Sequence, residues 1–300
     1  MPASAPMTFR CLPPAFAEAV GRLGIHVRRP VRGRGEGLHR SPDYGASVEF
    51  AEYRDYTPGD PPNRIDWAVY ARTDRYRVRR FQEETSLRGA IVLDVSASMD
   101  FGEAGPLTKW AYACRLAAGA IYALVRQGDS AALYAVGAAA APACEPVGHV
   151  GGLAPVLRWL DTAKPAGPGR LADGIASVSA QARERSLVVV ISDFLEGRDT
   201  LVRAFRRLYH EGHSLIALHV VDGAERVPVF TGPVELEDSE TRRRLVVEID
   251  EIRARYDQAF LAHSDGLRRA CADCLGDYHL VDTREAPELA LRRLAAGGRP

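Results

Sequence analysis

Short, unbroken apolar runs separated by helical spacings dominate the chain from residue 87 onward. Residues 90–93, 187–191 and 215–218 with Val220 and Val221 are apolar at successive positions rather than at alternate ones. Such runs mark strands buried on both faces. Between them, Trp110, Ala113, Ala117, Ala120, Ile121 and Leu124 keep one face of a helix across 108–127, and Gly128 is placed to stop it. Leu201, Phe205 and Leu208 predict a helix over 198–210, and 171–181 and 253–275 read as further helices. The chain closes on a strand at 278–281 and a helix at 286–294. Alternating strands and helices imply a parallel sheet with helices on both faces, so residues 87–300 are expected to form a doubly wound α/β domain.

Residues 1–86 read differently. A short helix is expected over 13–23, followed at 28–40 by a Gly/Arg segment in which Arg28, Arg29, Arg32, Arg34 and Arg40 face one acid, Glu36. Strand-like pieces at 46–54 and 75–83 flank Thr57-Pro-Gly-Asp-Pro-Pro-Asn63, whose prolines and glycine enforce a turn. This predicts a small, mainly β unit of antiparallel strands ahead of the α/β domain.

Charge narrows the function classes. Lys+Arg and Asp+Glu each number 39, and this neutral balance argues against a surface devoted to nucleic acid or anionic lipid. Lys109 and Lys164 are the only lysines. The longest uncharged stretch, 131–144, contains Pro142 and falls short of the roughly 20 apolar residues of a membrane span. The first residues lack the basic and apolar regions of a signal peptide. Five scattered cysteines do not suggest a disulfide framework, and the expected compartment is the reducing cytoplasm. Cys271-x-x-Cys274 has redox or metal spacing, yet falls late in a helical pattern, where two structural thiols are the simpler reading.

In doubly wound folds, ligands bind beyond the carboxyl ends of the strands, where the strand order reverses. Acidic residues end the apolar runs there: Asp94-Val-Ser96-Ala-Ser98-Met-Asp100, Ser192-Asp193-Phe-Leu-Glu196, and Asp222 with Glu225 close behind. Asp94, Ser96 and Ser98 offer a carboxylate and two hydroxyls in one loop, and Asp193 approaches from another strand tip. Hard oxygen donors of this kind suit Mg²⁺, or Mn²⁺. The rival reading is a structural loop whose hydroxyls cap the following turn.

The Asp94-x-Ser96-x-Ser98 loop with a later strand-tip Asp193 resembles the metal-ion-dependent adhesion site of von Willebrand factor A domains. A longer signature precedes it: Tyr53-Arg-Asp-Tyr-Thr-Pro-Gly-Asp60-Pro-Pro-Asn-Arg64-Ile-Asp66-Trp67, then Ala71-Arg72-Thr73, Val78-Arg79 and Phe81-Gln-Glu-Glu84. This is similar to the signature of the bacterial family called domain of unknown function 58. The resemblance runs from about Gly33 to about Leu294 and implies a von Willebrand factor A-like sheet. It further implies a protein-binding module working with a MoxR-type AAA+ ATPase in chaperone-like protein maturation. One position departs from the adhesion pattern: Gly169 stands where a threonine ligand is expected, and Arg170 follows it. Asp100, Asp173 or water would have to substitute.

Other readings are weaker. Asp60, Arg64, Asp66 and Arg72 read as a structural lattice joining the β unit to the α/β domain. The 28–40 segment reads as solvated surface more readily than as a phosphate grip. The chain has no Gly-x-Ser-x-Gly elbow, Walker A lysine, His-Glu-x-x-His or strand-linked Gly-x-Gly-x-x-Gly. His219, inside an apolar strand, reads as a core residue. A non-enzymatic role is therefore expected, and the runner-up is a Mg-dependent hydrolase of phosphoryl substrates using Asp94, Asp193 and Asp222.

Overall fold

A computed structural model of the chain describes residues 9–25, 39–45, 49–57, 60, 62, 65–85, 87–137, 140–182, 185–226 and 231–297. Most of the 28–40 segment and Arg64 lie outside them. The amino-terminal elements are α1 (Pro14–Val20), β1 (His39–Gly45), β2 (Glu49–Asp55), α2 (Trp67–Thr73) and β3 (Arg77–Thr85). β3 lies between β1 and β2, antiparallel to both, giving the small antiparallel sheet the sequence predicts, with an unforeseen first strand.

The α/β layer starts with β4 (Arg88–Asp94), α3 (Lys109–Arg126), β5 (Ser130–Val136), β6 (Ala140–Val147), α4 (Ala154–Thr162), α5 (Leu171–Gln181) and β7 (Leu187–Ser192). It continues through α6 (Arg198–His210), β8 (Ser214–Val221), the short α7 (Gly223–Arg226), β9 (Pro233–Glu237) and β10 (Arg244–Glu248). The chain then forms α8 (Ile249–Asp273), β11 (Asp277–Asp282) and α9 (Pro287–Gly297). Six strands form one sheet in the order β11-β8-β7-β4-β5-β6, parallel except for the β5–β6 edge. Renumbered along this sheet the order is 3-2-1-4-5-6, the doubly wound arrangement, and it reverses between β4 and β7. The fold is the doubly wound, mainly parallel α/β class that the sequence predicts.

The uncharged stretch at 131–144 is largely β5 and β6, and Pro142 is tolerated because β6 is an edge strand. Among the described residues, no helix is long and apolar enough to cross a membrane.

Strand alternation divides the core into two layers. Ile91, Leu93, Val189, Ile191, Ile216 and Leu218 pack with α3 and α9 on one face. Ala90, Val92, Val188, Val190, Leu215 and Ala217 pack with α5, α6 and the end of α8 on the other. Each continuous apolar run thus serves both layers, because successive side chains point to opposite faces.

The expected grouping of residues 1–86 differs in space for α1. Phe16, Val20 and Ile25 join the core layer under α3, and the Ile25 amide donates to Gln127 Oε1 at 2.9 Å. This short helix covers apolar surface of the α/β body. Cys271 and Cys274, at the end of α8, are free, and burial pushes both thiols up, which makes them inert packing residues.

Candidate metal and docking site

Asp94 is the last residue of β4 and Ser192 the last of the neighbouring β7, with Asp193 just beyond it, so they flank the point where the strand order reverses. The loop after β4 folds back on itself: the Ser96 amide donates to Asp94 Oδ1 at 2.9 Å, and the Ser96 and Ser98 hydroxyls lie 3.0 Å apart. Ser192 Oγ donates to Asp94 Oδ2 at 2.6 Å and itself accepts from the Phe194 amide. The loop before α5 is tied to the same place, since Ala97 N donates to Gly167 O and Ala166 N to Val95 O. Glu196, beyond β7, caps α5 by accepting from Ala172 N. Asp94, Ser96, Ser98 and Asp193 are therefore brought together, lining a cleft of about 800 Å³.

Phe194 follows Asp193 in the left-handed region, with φ 51, although it is fully buried. That conformation is costly for a bulky residue and persists only where its surroundings enforce it. Its ring packs edge-on against Phe205 and His219, and its carbonyl meets His263 Nε2 at 2.9 Å. The long helix α8 thereby fixes the backbone beside Asp193. His219 is the core residue expected: burial pushes its pKa down to about 3, and Nδ1 meets the Tyr278 hydroxyl at 2.6 Å.

Lys109, not foreseen as a site residue, opens α3 and is almost wholly buried, with Nζ 2.8 Å from Asp193 Oδ2 and 2.6 Å from Glu225 Oε1. Burial works against its charge, but attraction to Asp193 and Glu225 outweighs it and holds its pKa above the ordinary lysine value. The only sequence hint was its scarcity as one of two lysines. Among the described residues Asp94 has no such cation. Burial, and next the charge of Asp193, push its pKa up to about 6 against the hydrogen bonds from Ser192 and Ser96.

The remaining candidates separate. Asp100 lines the cleft, whereas Asp173 is exposed and pairs with Arg170 at 2.8 Å, so that guanidinium is not a lone charge at the cleft. Asp222 is not among the cleft-lining residues. It is fully buried and accepts from Ala104 N, Ala224 N and Thr283 Oγ1, a loop-closing role that removes it from the hydrolase constellation. Part of the lattice expected in the signature falls on Arg64, outside the described residues. Asp60 grips Arg54 with both oxygens, at 2.6 and 2.7 Å, and Asp66 caps α2 through Ala68 N and Val69 N while accepting from the Tyr53 hydroxyl. Arg72 donates to Ala68 O of its own helix. These contacts run within the small unit.

The family model described as protein of unknown function DUF58 matches residues 52–266. The chain belongs to the DUF58 family. Uncharacterized proteins of Mycobacterium bovis and Mycobacterium tuberculosis are each 32% identical to it over 272 residues, covering 87% of this chain and 83% of theirs. A crystal structure of an aerotolerance-related membrane protein from Bacteroides fragilis is similar at 16% identity and a TM-score of 0.49, over 70% of this chain and 99% of that one.

A divalent ion is what the adhesion-type resemblance implies for this DUF58 chain, and the donor set suits one: carboxylates and hydroxyls with no soft ligand. Among the described residues no three His, Cys, Asp or Glu side chains form a metal-ligand cluster, so hydroxyls and water would carry much of the coordination. A cradle is present as well. A Cβ placed on Gly169 would lie 3.3 Å from Ser96 Cβ and 3.7 Å from Ser96 Oγ, so the position of the missing threonine does face the loop. Lys109 and Arg242 are the only basic side chains lining the cleft among the described residues, against eight carboxylates.

Proposed function

We propose that the chain is a non-enzymatic protein-binding module whose strand-tip cleft holds Mg²⁺ or Mn²⁺ through Asp94, Ser96, Ser98 and Asp193. The observation that carries this reading is their convergence from two strand tips at the sheet's switch point, where ligands of doubly wound folds bind. Asp94, raised toward neutrality in its pKa and without an ion-pair partner among the described residues, is the carboxylate a divalent ion would stabilise most. Ser96 and Ser98 supply neutral oxygens, and Lys109 holds Asp193 in place. An ion held by Asp94, Ser96, Ser98 and Asp193 would give the cleft a positive centre able to attract a partner's carboxylate. Exposed Leu195 on the rim adds apolar contact area to such a docking face. The sequence resemblance extends the proposal to a MoxR-type AAA+ ATPase as partner in protein maturation.

Isothermal titration with Mg²⁺ or Mn²⁺ tests the metal: heat from the wild-type chain that disappears in Asp94→Ala is expected, and its absence from the wild type rejects the reading. The partner is tested by native co-purification under nucleotide, where recovery of an AAA+ ATPase is expected and repeated failure rejects it.

A further inference from the structure

We infer that Glu240, on the loop joining β9 and β10, replaces the oxygen ligand that Gly169 cannot supply to the cation held at Asp94, Ser96 and Ser98. This rests on the cation-binding reading above and adds a ligand that the adhesion pattern does not contain.

The position of the missing side chain brings the relevant groups together. The point where a Cβ on Gly169 would stand is 3.4 Å from Glu240 Oε1 and 3.7 Å from Ser96 Oγ. Glu240 and Ser96 thus look at each other across the space a threonine would fill. The sheet supplies one wall of the cleft, and the β9–β10 hairpin, inserted between β8 and α8, supplies the other.

The hairpin is built to present this carboxylate. Asp238 Oδ1 accepts from Glu240 N at 2.8 Å and Thr241 N at 3.0 Å, and Arg242 turns the chain with φ 59. Glu237 is held by Arg242 at 3.0 Å and by Arg244 at 2.9 Å. Two acids of the tip are therefore committed to shaping it. Among the described residues Glu240 alone of the three has a carboxylate with no hydrogen-bond or ion-pair partner, and it faces a cleft already rich in negative charge. A cation in the cleft would compensate that charge. A carboxylate in place of a neutral hydroxyl also adds a full negative charge to the donor set, which strengthens its hold on a divalent ion.

The test is Mn²⁺ titration calorimetry on the full chain, run with wild type, Asp94→Asn, Glu240→Gln and the pair Gly169→Thr/Glu240→Gln. Glu240→Gln is expected to weaken binding at least about tenfold, the lower end of what losing even an outer-shell partner costs at a metal site. Gly169→Thr is expected to restore it by returning the hydroxyl. Trypsin gives a second readout: Mn²⁺ should slow cleavage after Arg242 and Arg243 in the wild type and not in Glu240→Gln. If Glu240→Gln binds Mn²⁺ as tightly as wild type, or more tightly, while Asp94→Asn abolishes binding, Glu240 is no ligand and the cation site stands without it. If the wild type binds no Mn²⁺, both readings fall together.

Discussion

Lys109 Nζ lies 2.8 Å from Oδ2 of Asp193, two residues 84 positions apart in sequence and both almost completely removed from water. The ammonium also reaches Glu225, so one buried cation balances two carboxylates beside the cleft. Breaking such a cluster leaves uncompensated charge, which costs far more than the intact pair contributes.

Lys109→Met is therefore expected to destabilise the chain by about 3 kcal/mol, near the lower end for a broken buried pair because Glu225 keeps some contact with water. Adding Asp193→Asn should recover part of that loss. Urea denaturation of the single and double variants measures both.

Asp94 gives a pH dependence of known sign. Its pKa in the fold is raised from 3.8 to about 6, so the folded state holds this proton more tightly than the unfolded state. Its contribution to stability is greatest below the unfolded value and falls as pH rises through 6. At pH 7.5 without metal, Asp94→Asn is expected to be more stable than wild type by up to about 3 kcal/mol. Thermal melts across pH 4–8 would show the wild-type decline flattened in the variant.

His219 acts on the acid side. Its pKa is lowered from 6.5 to about 3, so the unfolded chain takes up the proton first as pH falls. Stability should drop by roughly 1.4 kcal/mol per pH unit below 6.5 from this group alone. In His219→Gln that slope should be lost, as followed by denaturant midpoints between pH 4 and 7.

Gly174 of α5 faces Val136 of β5 so closely that a Cβ there would lie 2.1 Å from Val136 Cγ1. Valine is branched at Cβ and cannot swing away. Gly174→Ala is expected to cost about 1–3 kcal/mol despite the better helix propensity of alanine. A lowered melting temperature with an unchanged circular dichroism spectrum would verify it.

Asp66 accepts from two amides of α2 and from the Tyr53 hydroxyl. Asp66→Ala should cost about 1–2 kcal/mol as a lost cap. Amide hydrogen exchange should rise across α2 and β3 while β7 and β8 stay protected.

The elements legible in sequence were those whose pattern a single layer dictates. Helices α5 and α6 fall at 171–181 and 198–210 as their spacing predicts, and the buried strands announce themselves by continuous apolar runs. The β9–β10 hairpin gave no such signal, because Leu236, Leu245 and Val246 are exposed and no core selects its alternation. The loop of Asp94, Ser96 and Ser98 was readable because its donors are adjacent in sequence. Lys109 and Glu240 were not, since a lysine is buried only by carboxylates from distant loops, and a glutamate on a hairpin tip looks like ordinary solvated charge. Gly169 reads as a gap in the adhesion pattern, but what faces that gap comes from a segment 71 residues further on.

β3 ends at Thr85 and β4 begins at Arg88, so the central strand of the small sheet leads into the strand whose last residue is Asp94. A partner that grips the small sheet and pulls would reach Asp94, on the floor of the cleft, through a connection only two residues long.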